Sequence, residues 1–505
     1  MMVASSTFDF VIVGAGAAGC AVASGLIDRK AGSVLIVEAG PPDSGMLVTA
    51  PLGLVWLMGG KRDWKYRSAP QSALGGRRLK IPRGRMLGGS SSINSMVWFR
   101  GRRDDFDNWD VDGWRWSDVE PAFQAIEERM RPSRLADPHP LSEALQSVLG
   151  NNGTAPPTPE YESAGIFHFN MRRGRRWSAA DAFLRPARAG GLEVLTDRQV
   201  DHIEFVDRKA SAIVLSDGST IRARKGIVLS AGSIGSPEIL LRSGVGPADD
   251  LESACIRVVA DADGVGRNLQ DHPAVGIHYV GARSGYGPTV RQVPLWVAAP
   301  FRYLTSGTGP IGSPTVEAGA FFNARNDGGP PDIQVHFLPF MMGWRNRLIV
   351  PGSGYFSDVC VCRPRSRGSV RLTNRGLEID LGLFTDPADL DLLVAGFRRL
   401  RQLMEEAPFG SYRGLEAFPG VDKVRSDEEI RQHVLDTAGT AYHPVGTLRM
   451  GEGPAPVTPR LAMKGVSGLW VADASVMPQL TSANTNAPSI MIGHRAAGMI
   501  AEDAG

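Results

Sequence analysis

The chain has 505 residues, 43% hydrophobic and 21% charged, with a formal net charge of +2. This near-neutral balance gives no electrostatic case for a nucleic-acid or acidic-membrane partner, and no apolar run is long enough to read as a spanning helix. The four cysteines, Cys20, Cys255, Cys360 and Cys362, show no C-x-x-C spacing, so no metal site and no disulfide scaffold is expected.

The length suggests two or three domains with a core large enough to need no staples. Phe8 to Val13 reads as a short apolar strand running into GAGAAG, Gly14 to Gly19. A secretory leader fits this stretch poorly, because it lacks a basic start and its glycines interrupt the apolar run. A cytoplasmic location is the expectation. Ala17 to Ile27 reads as a small-residue helix, and Ser33 to Val37 as a second apolar strand ending at Glu38. These form one βαβ unit with a G-x-G-x-x-G turn. Gly14 makes the tight bend, Gly16 lets backbone approach a pyrophosphate, and Gly19 lets helix pack on strand. The helix start at Ala17 and Ala18 offers N–H groups to phosphate, and Glu38 is expected to accept from the adenosine ribose.

Further along, the Arg pairs at 172–173 and 175–176 read as solvated. Lys225 to Gly244 reads as a strand, an Ala-Gly turn and a helix starting near Ser236 and Pro237. Pro331 to Leu338 and Ser369 to Leu372 read as strands, Leu390 to Leu403 as a helix, and Gly281–Gly287 and Gly307–Gly312 as loops. Ser467 to Pro478 holds another buried strand, ending at Asp473. Pieces of like character so far apart imply a discontinuous domain. Residues 1–145, 190–275 and 431–505 are expected to bind the dinucleotide, with 146–189 and 276–430 forming an inserted domain. The expected fold class is α/β.

Six longer blocks carry a resemblance. GRMLGGSSSINSMVWFRGRRDDFD (Gly84 to Asp107) and GSIGSPEILLRSGVG (Gly232 to Gly246) resemble the two signatures of the glucose–methanol–choline (GMC) oxidoreductases. GVGRNLQDHP, SRGSVRL, YHPVGTLRMG and VADASVMP…NTNAPSIMIG follow in the family's order. The resemblance implies a Rossmann-like FAD domain, a substrate domain built on an antiparallel sheet, and oxidation of an alcohol. It places Arg85, Leu87, Gly88, Gly89, Asn94, Ser95, Met96 and Val97 along the cofactor. Val200 is expected to meet the adenine through its backbone. Ala231, Tyr442, Ala472, Asp473, Asn484, Thr485 and Pro488 complete the expected cofactor set. Some members attach FAD through a histidine just before the Asn94 position; here Ile93 stands there, so non-covalent FAD is expected.

Oxidising an alcohol removes a carbon-bound hydrogen and a hydroxyl proton, and the proton needs a base within hydrogen-bond reach. His443 is the candidate, held before Pro444 in an uncharged loop. Asn486 is the expected donor to the substrate oxygen as charge builds there, since the family carries histidine or asparagine at that place. Asn484 is expected to be a turn or flavin-side residue, His272 to fix a loop, and His494 to be structural. Val335 to Trp344 suits a pocket wall and a sheet core equally. Glu317 is the one carboxylate considered for a cationic substrate. The substrate expected is a small aryl or heteroaryl primary alcohol, with choline or a polyol, an NAD-dependent dehydrogenase, and an FAD-containing hydroxynitrile lyase as alternatives. The electron acceptor is O2 or a quinone or dye.

Overall fold

The computed structural model describes residues 7–150, 155–281, 285–287, 289–341, 353–406, 409–410, 412 and 414–504. Two seven-stranded sheets organise them. The first runs in the order Glu193–Leu195, Val34–Val37, Thr7–Val13, Thr220–Leu229, Lys209–Leu215 and Val200–Val206, with Leu469–Val471 also on Thr220–Leu229. Its central strands are parallel, and the last two pairings are antiparallel. Val34–Val37 is buried at every position, as a parallel strand covered on both faces should be. The helix Ala17–Asp28 covers one face and packs on the C-terminal helix Asn486–Asp503. Small residues allow that contact: a Cβ on Gly493 would meet the carbonyl oxygen of Ala18 at 2.3 Å.

The second sheet is antiparallel, in the order Leu415–Phe418, Pro273–Val280, Gly354–Val361, Ile333–Leu338, Ala318–Phe322 and Ser163–Ile166. Helix Pro387–Met404 packs on it and carries its own start signals. Asp386 accepts the Ala388 N–H at 2.9 Å, and Pro387 occupies the first helical position, where its missing N–H costs nothing. Each sheet has its own apolar core.

Several sequence expectations shift. Helix Gly232–Arg242 begins four residues before Ser236. The carboxylate of Asp473, from a distant strand end, accepts both the Gly232 N–H at 2.8 Å and the Ser236 hydroxyl at 2.6 Å. No local signal announces such a cap. Arg176 is buried rather than solvated, donating to Asn94 Oδ1 at 2.9 Å and to the carbonyls of Val48 and Ser91. Gly439–Thr440, expected with the dinucleotide-binding residues, pairs with Pro273 and Ala274 of the second sheet. The chain therefore crosses between sheets beside His272 and just before His443. The Gly281–Gly287 and Val335–Trp344 segments lie partly outside the described residues; Val335 to Leu338 is strand. No helix among the described residues is long and apolar enough to cross a membrane.

Candidate active site

A cavity of about 1050 Å³ runs from the glycine turn of the first sheet to the face of the second. Its narrow end is a cradle of backbone. Gly14 has φ +99°, and a Cβ there would meet the Ser230 carbonyl oxygen at 2.6 Å. A Cβ on Gly89 would meet the Gly16 Cα at 2.7 Å, and the Gly88 N–H donates to the Ala15 carbonyl at 2.7 Å. The glycine turn and the Gly/Ser loop thus close on each other, with no side chain between them. Gly16 caps the Ala17 helix without a side-chain bond, leaving the first N–H groups for an anion.

Among the expected cofactor residues, Gly14, Gly16, Ala17, Ala18, Glu38 and Gly89 line this end. Asn94, Ser95, Met96, Val97, Val200 and Ala231 line it further along, as do Tyr442, Asp473, Asn484 and Thr485. Gly19, Arg85, Leu87, Gly88, Ala472 and Pro488 do not line it. They stand behind the wall for identifiable reasons. A Cβ on Gly19 would meet the Gly14 carbonyl at 2.0 Å, so this glycine serves helix-on-strand contact. Leu87 accepts from the Ser92 hydroxyl and Ala472 from the Ser230 hydroxyl, each at 2.8 Å. The Arg85 guanidinium lies 5.3 Å over the Trp64 ring, and Pro488 is buried inside the C-terminal helix. Glu38, expected at the ribose, is engaged by the backbone on both oxygens. Its oxygens accept the Ala15 N–H at 3.0 Å and the Gly40 N–H at 2.9 Å, and burial pushes its carboxyl up to about 7.

His443 sits where the two sheets meet. Its backbone N–H donates to Asp271 Oδ1 at 2.8 Å, and the His272 N–H donates to the same oxygen at 2.8 Å. Burial pushes the Asp271 carboxyl up to about 6, against the pull of these bonds and of Arg83. The rings can be assigned tautomers from their partners. His272 Nε2 lies 3.0 Å from the Thr481 carbonyl oxygen, which can only accept, so Nε2 carries the hydrogen. Burial holds His272 down at about 4, so the ring is neutral and its Nδ1 is an acceptor. His443 Nδ1, 3.1 Å away, must therefore donate. Burial also holds His443 well below the ordinary histidine value, with His272, His336 and Arg83 adding to it. Its Nε2 then carries a lone pair and no hydrogen.

The amide beside that lone pair is Asn484, two residues before the one expected. Its Nδ2 lies 3.0 Å from His443 Nε2, and its Oδ1 accepts from Gln334 Nε2 at 3.0 Å, which fixes the amide's orientation. Asn486, the expected donor to the substrate oxygen, stands differently. Asn486 is the first residue of the C-terminal helix, and its Nδ2 is buried with no hydrogen-bond partner while the residue lines the cavity. An orphaned buried donor and a side-chain-free backbone cradle fit a polar, planar cofactor such as FAD. Ile93 also lines this region and offers no atom for covalent attachment.

The cavity lining also includes Trp64 and Tyr66, stacked at 5.7 Å, and Leu338 and Phe356. It also carries two residues that sequence reasoning missed, His336 and Asp358, paired at 2.9 Å. Glu317 is no pocket carboxylate. It is fully buried, bonded by the His139 N–H and the Ser142 and Ser313 hydroxyls, and burial pushes it up to about 7.

A glycine-walled dinucleotide cleft running into a neutral imidazole and an amide defines a flavoprotein oxidoreductase. The chain belongs to the GMC oxidoreductase family, whose profiles match residues 8–274 and 364–493. It is an FAD-dependent alcohol oxidoreductase of that family. It is 34% identical to an alcohol dehydrogenase [acceptor] from Pseudomonas putida, covering 98% of this chain and 95% of that one. It is 34% identical to an oxygen-dependent choline dehydrogenase from Rhizobium johnstonii, covering 97% and 94%. Among solved structures it resembles pyridoxine 4-oxidase from Mesorbium loti, with 29% identity, TM-score 0.86, and 97% and 98% of the two chains covered.

Proposed function

We propose that this protein oxidises a small aryl or heteroaryl primary alcohol to the aldehyde, with Nε2 of His443 taking the hydroxyl proton. What carries this reading is the unprotonated Nε2 of a neutral His443, which accepts from the Asn484 amide N–H at 3.0 Å. A substrate hydroxyl that displaces this hydrogen bond donates to His443 and accepts from Asn484. The amide N–H then stabilises the oxygen as it gains charge, without titrating itself. FAD, when bound, supplies the acceptor for the carbon-bound hydrogen. Gly14, Gly16, Gly89 and the start of the Ala17 helix would hold its pyrophosphate, and Asn94 and Asn486 would meet its polar edges. Ile93 supports non-covalent binding.

The aromatic wall of Trp64, Tyr66 and Phe356 favours a planar substrate over a polyol, which would want many polar partners. The resemblance to pyridoxine 4-oxidase points the same way. The test is anaerobic flavin reduction over an alcohol panel, followed by reoxidation with air, a quinone or a dye. Rapid bleaching by arylmethanols supports the reading. A flavin left oxidised by every alcohol would remove it.

A further inference from the structure

Asp358 stands on the cavity face of the second sheet, in the strand Gly354–Val361. This strand lies between the two segments that match the family profiles, at residues 8–274 and 364–493. The carboxylate is therefore a feature of this chain's own substrate wall. The sheet register sets Asp358 opposite His336 on one side and Gly276 on the other. One oxygen, Oδ1, accepts from His336 Nδ1 at 2.9 Å. The other, Oδ2, accepts no hydrogen bond from any described residue, and the side chain keeps 22% of its exposure in the cavity lining.

The remaining surroundings make that oxygen usable. Gly276 puts no side chain beside it, and a Cβ there would strike the Phe356 ring at 2.3 Å. His336 Nε2 lies 3.4 Å from Asn484 Nδ2, which in turn meets His443 Nε2 at 3.0 Å. One imidazole and its two hydrogen bonds thus separate the carboxylate from the reacting oxygen's donor. An aromatic ring carrying a hydroxymethyl group and a donor on another carbon spans a gap of that kind. A carboxylate oxygen with an open lone pair in a partly enclosed cavity is best met by a charged donor, since charge-assisted hydrogen bonds are the stronger ones.

We propose that Asp358 is a specificity-determining residue that recognises a protonated nitrogen on the substrate, so that the preferred alcohols are arylmethanols carrying an ammonium or ring N–H⁺ group. This rests on the alcohol-oxidase reading of the same site. The probes are 4-(aminomethyl)benzyl alcohol and its neutral near-isostere 4-ethylbenzyl alcohol, each followed by anaerobic flavin reduction in the holoenzyme. The wild-type protein should favour the cation by about 10- to 150-fold in kcat/KM, the range of one hydrogen bond to a charged group. In Asp358→Asn that ratio should collapse towards one, chiefly through KM.

A wild-type enzyme that reduces its flavin with both alcohols equally, or faster with the neutral one, overturns the assignment of Asp358. It leaves the proposed reaction standing. A flavin that neither these nor any other alcohol reduces overturns both. The wild-type ratio alone decides the matter if the Asn variant fails to fold.

Discussion

Nδ2 of Asn484 lies 3.0 Å from Nε2 of His443, although 41 residues separate them in the chain. The donor and the lone pair face each other because both are held from behind: Gln334 grips the amide oxygen, and His272 receives the other ring nitrogen's hydrogen. Each prediction below pulls on one part of this arrangement.

His443→Ala should keep its fold and its flavin but reduce that flavin roughly 10²- to 10⁴-fold more slowly with a good alcohol. This corresponds to about 3–5 kcal/mol of barrier. Stopped-flow absorbance of the anaerobic reaction measures it, and near-wild-type reduction would falsify the assignment of the base.

Asn484→Ala should slow the same step by roughly 10- to 150-fold, the worth of a hydrogen bond to a charge-bearing oxygen. The loss should fall mainly on kcat, because the ground-state alcohol is neutral. Asn484→His should restore part of it. Asn486→Ala should instead loosen the cofactor, read as a lower flavin content, with a smaller effect on the reduction of the flavin that stays bound. If Asn486→Ala gives the larger kinetic loss, the two amides have been assigned the wrong way round.

The pH profile follows from the sign of the His443 shift. Burial depresses its folded value well below the ordinary 6.5. The base is needed unprotonated, so the rate of flavin reduction should be full at neutral pH. It should fall only as the pH drops through that depressed value. In His272→Ala, Nδ1 of His443 loses its acceptor and the ring can take the other tautomer. Flavin reduction should slow at every pH, and His272→Asn, which returns an acceptor oxygen, should recover part of the rate. A variant with wild-type rate and an unmoved acid limb would remove His272 from the positioning role.

FAD should leave with acid. Ile93 occupies the place from which a covalent link would come, and it carries no nucleophile. Trichloroacetic acid should leave a yellow supernatant over a colourless pellet; a yellow pellet contradicts it.

Much of this protein is written locally. The βαβ unit was legible from an apolar run, three glycines at fixed spacing and a second apolar run, because turn geometry and strand burial depend on neighbours within a few residues. Thr7–Val13, Ala17–Asp28 and Val34–Val37 depart from those expectations by only a residue or so at their ends. The proposal for His443 also starts locally, since one histidine before a proline in an uncharged loop is a local fact joined to a family block. The helix over Pro387–Met404 announced itself by its period.

What only the tertiary structure decided is which side chains face each other. Asn484 and Asn486 have the same chemistry two residues apart. The choice between them turns on where the C-terminal helix begins: Asn486 is its first residue, and Asn484 lies just outside, turned towards His443 and Gln334. Asp358 and His336 belong to no motif, and strand register alone brings them together. Glu317 has the same chemistry as a ligand-binding carboxylate, but three donors consume it, two of them from the distant residues His139 and Ser142. Sequence alone determined the backbone turns, since those rest on contacts between near neighbours. Partners, tautomers and exposure rest on contacts between segments far apart in the chain, and only the folded chain brings those segments together.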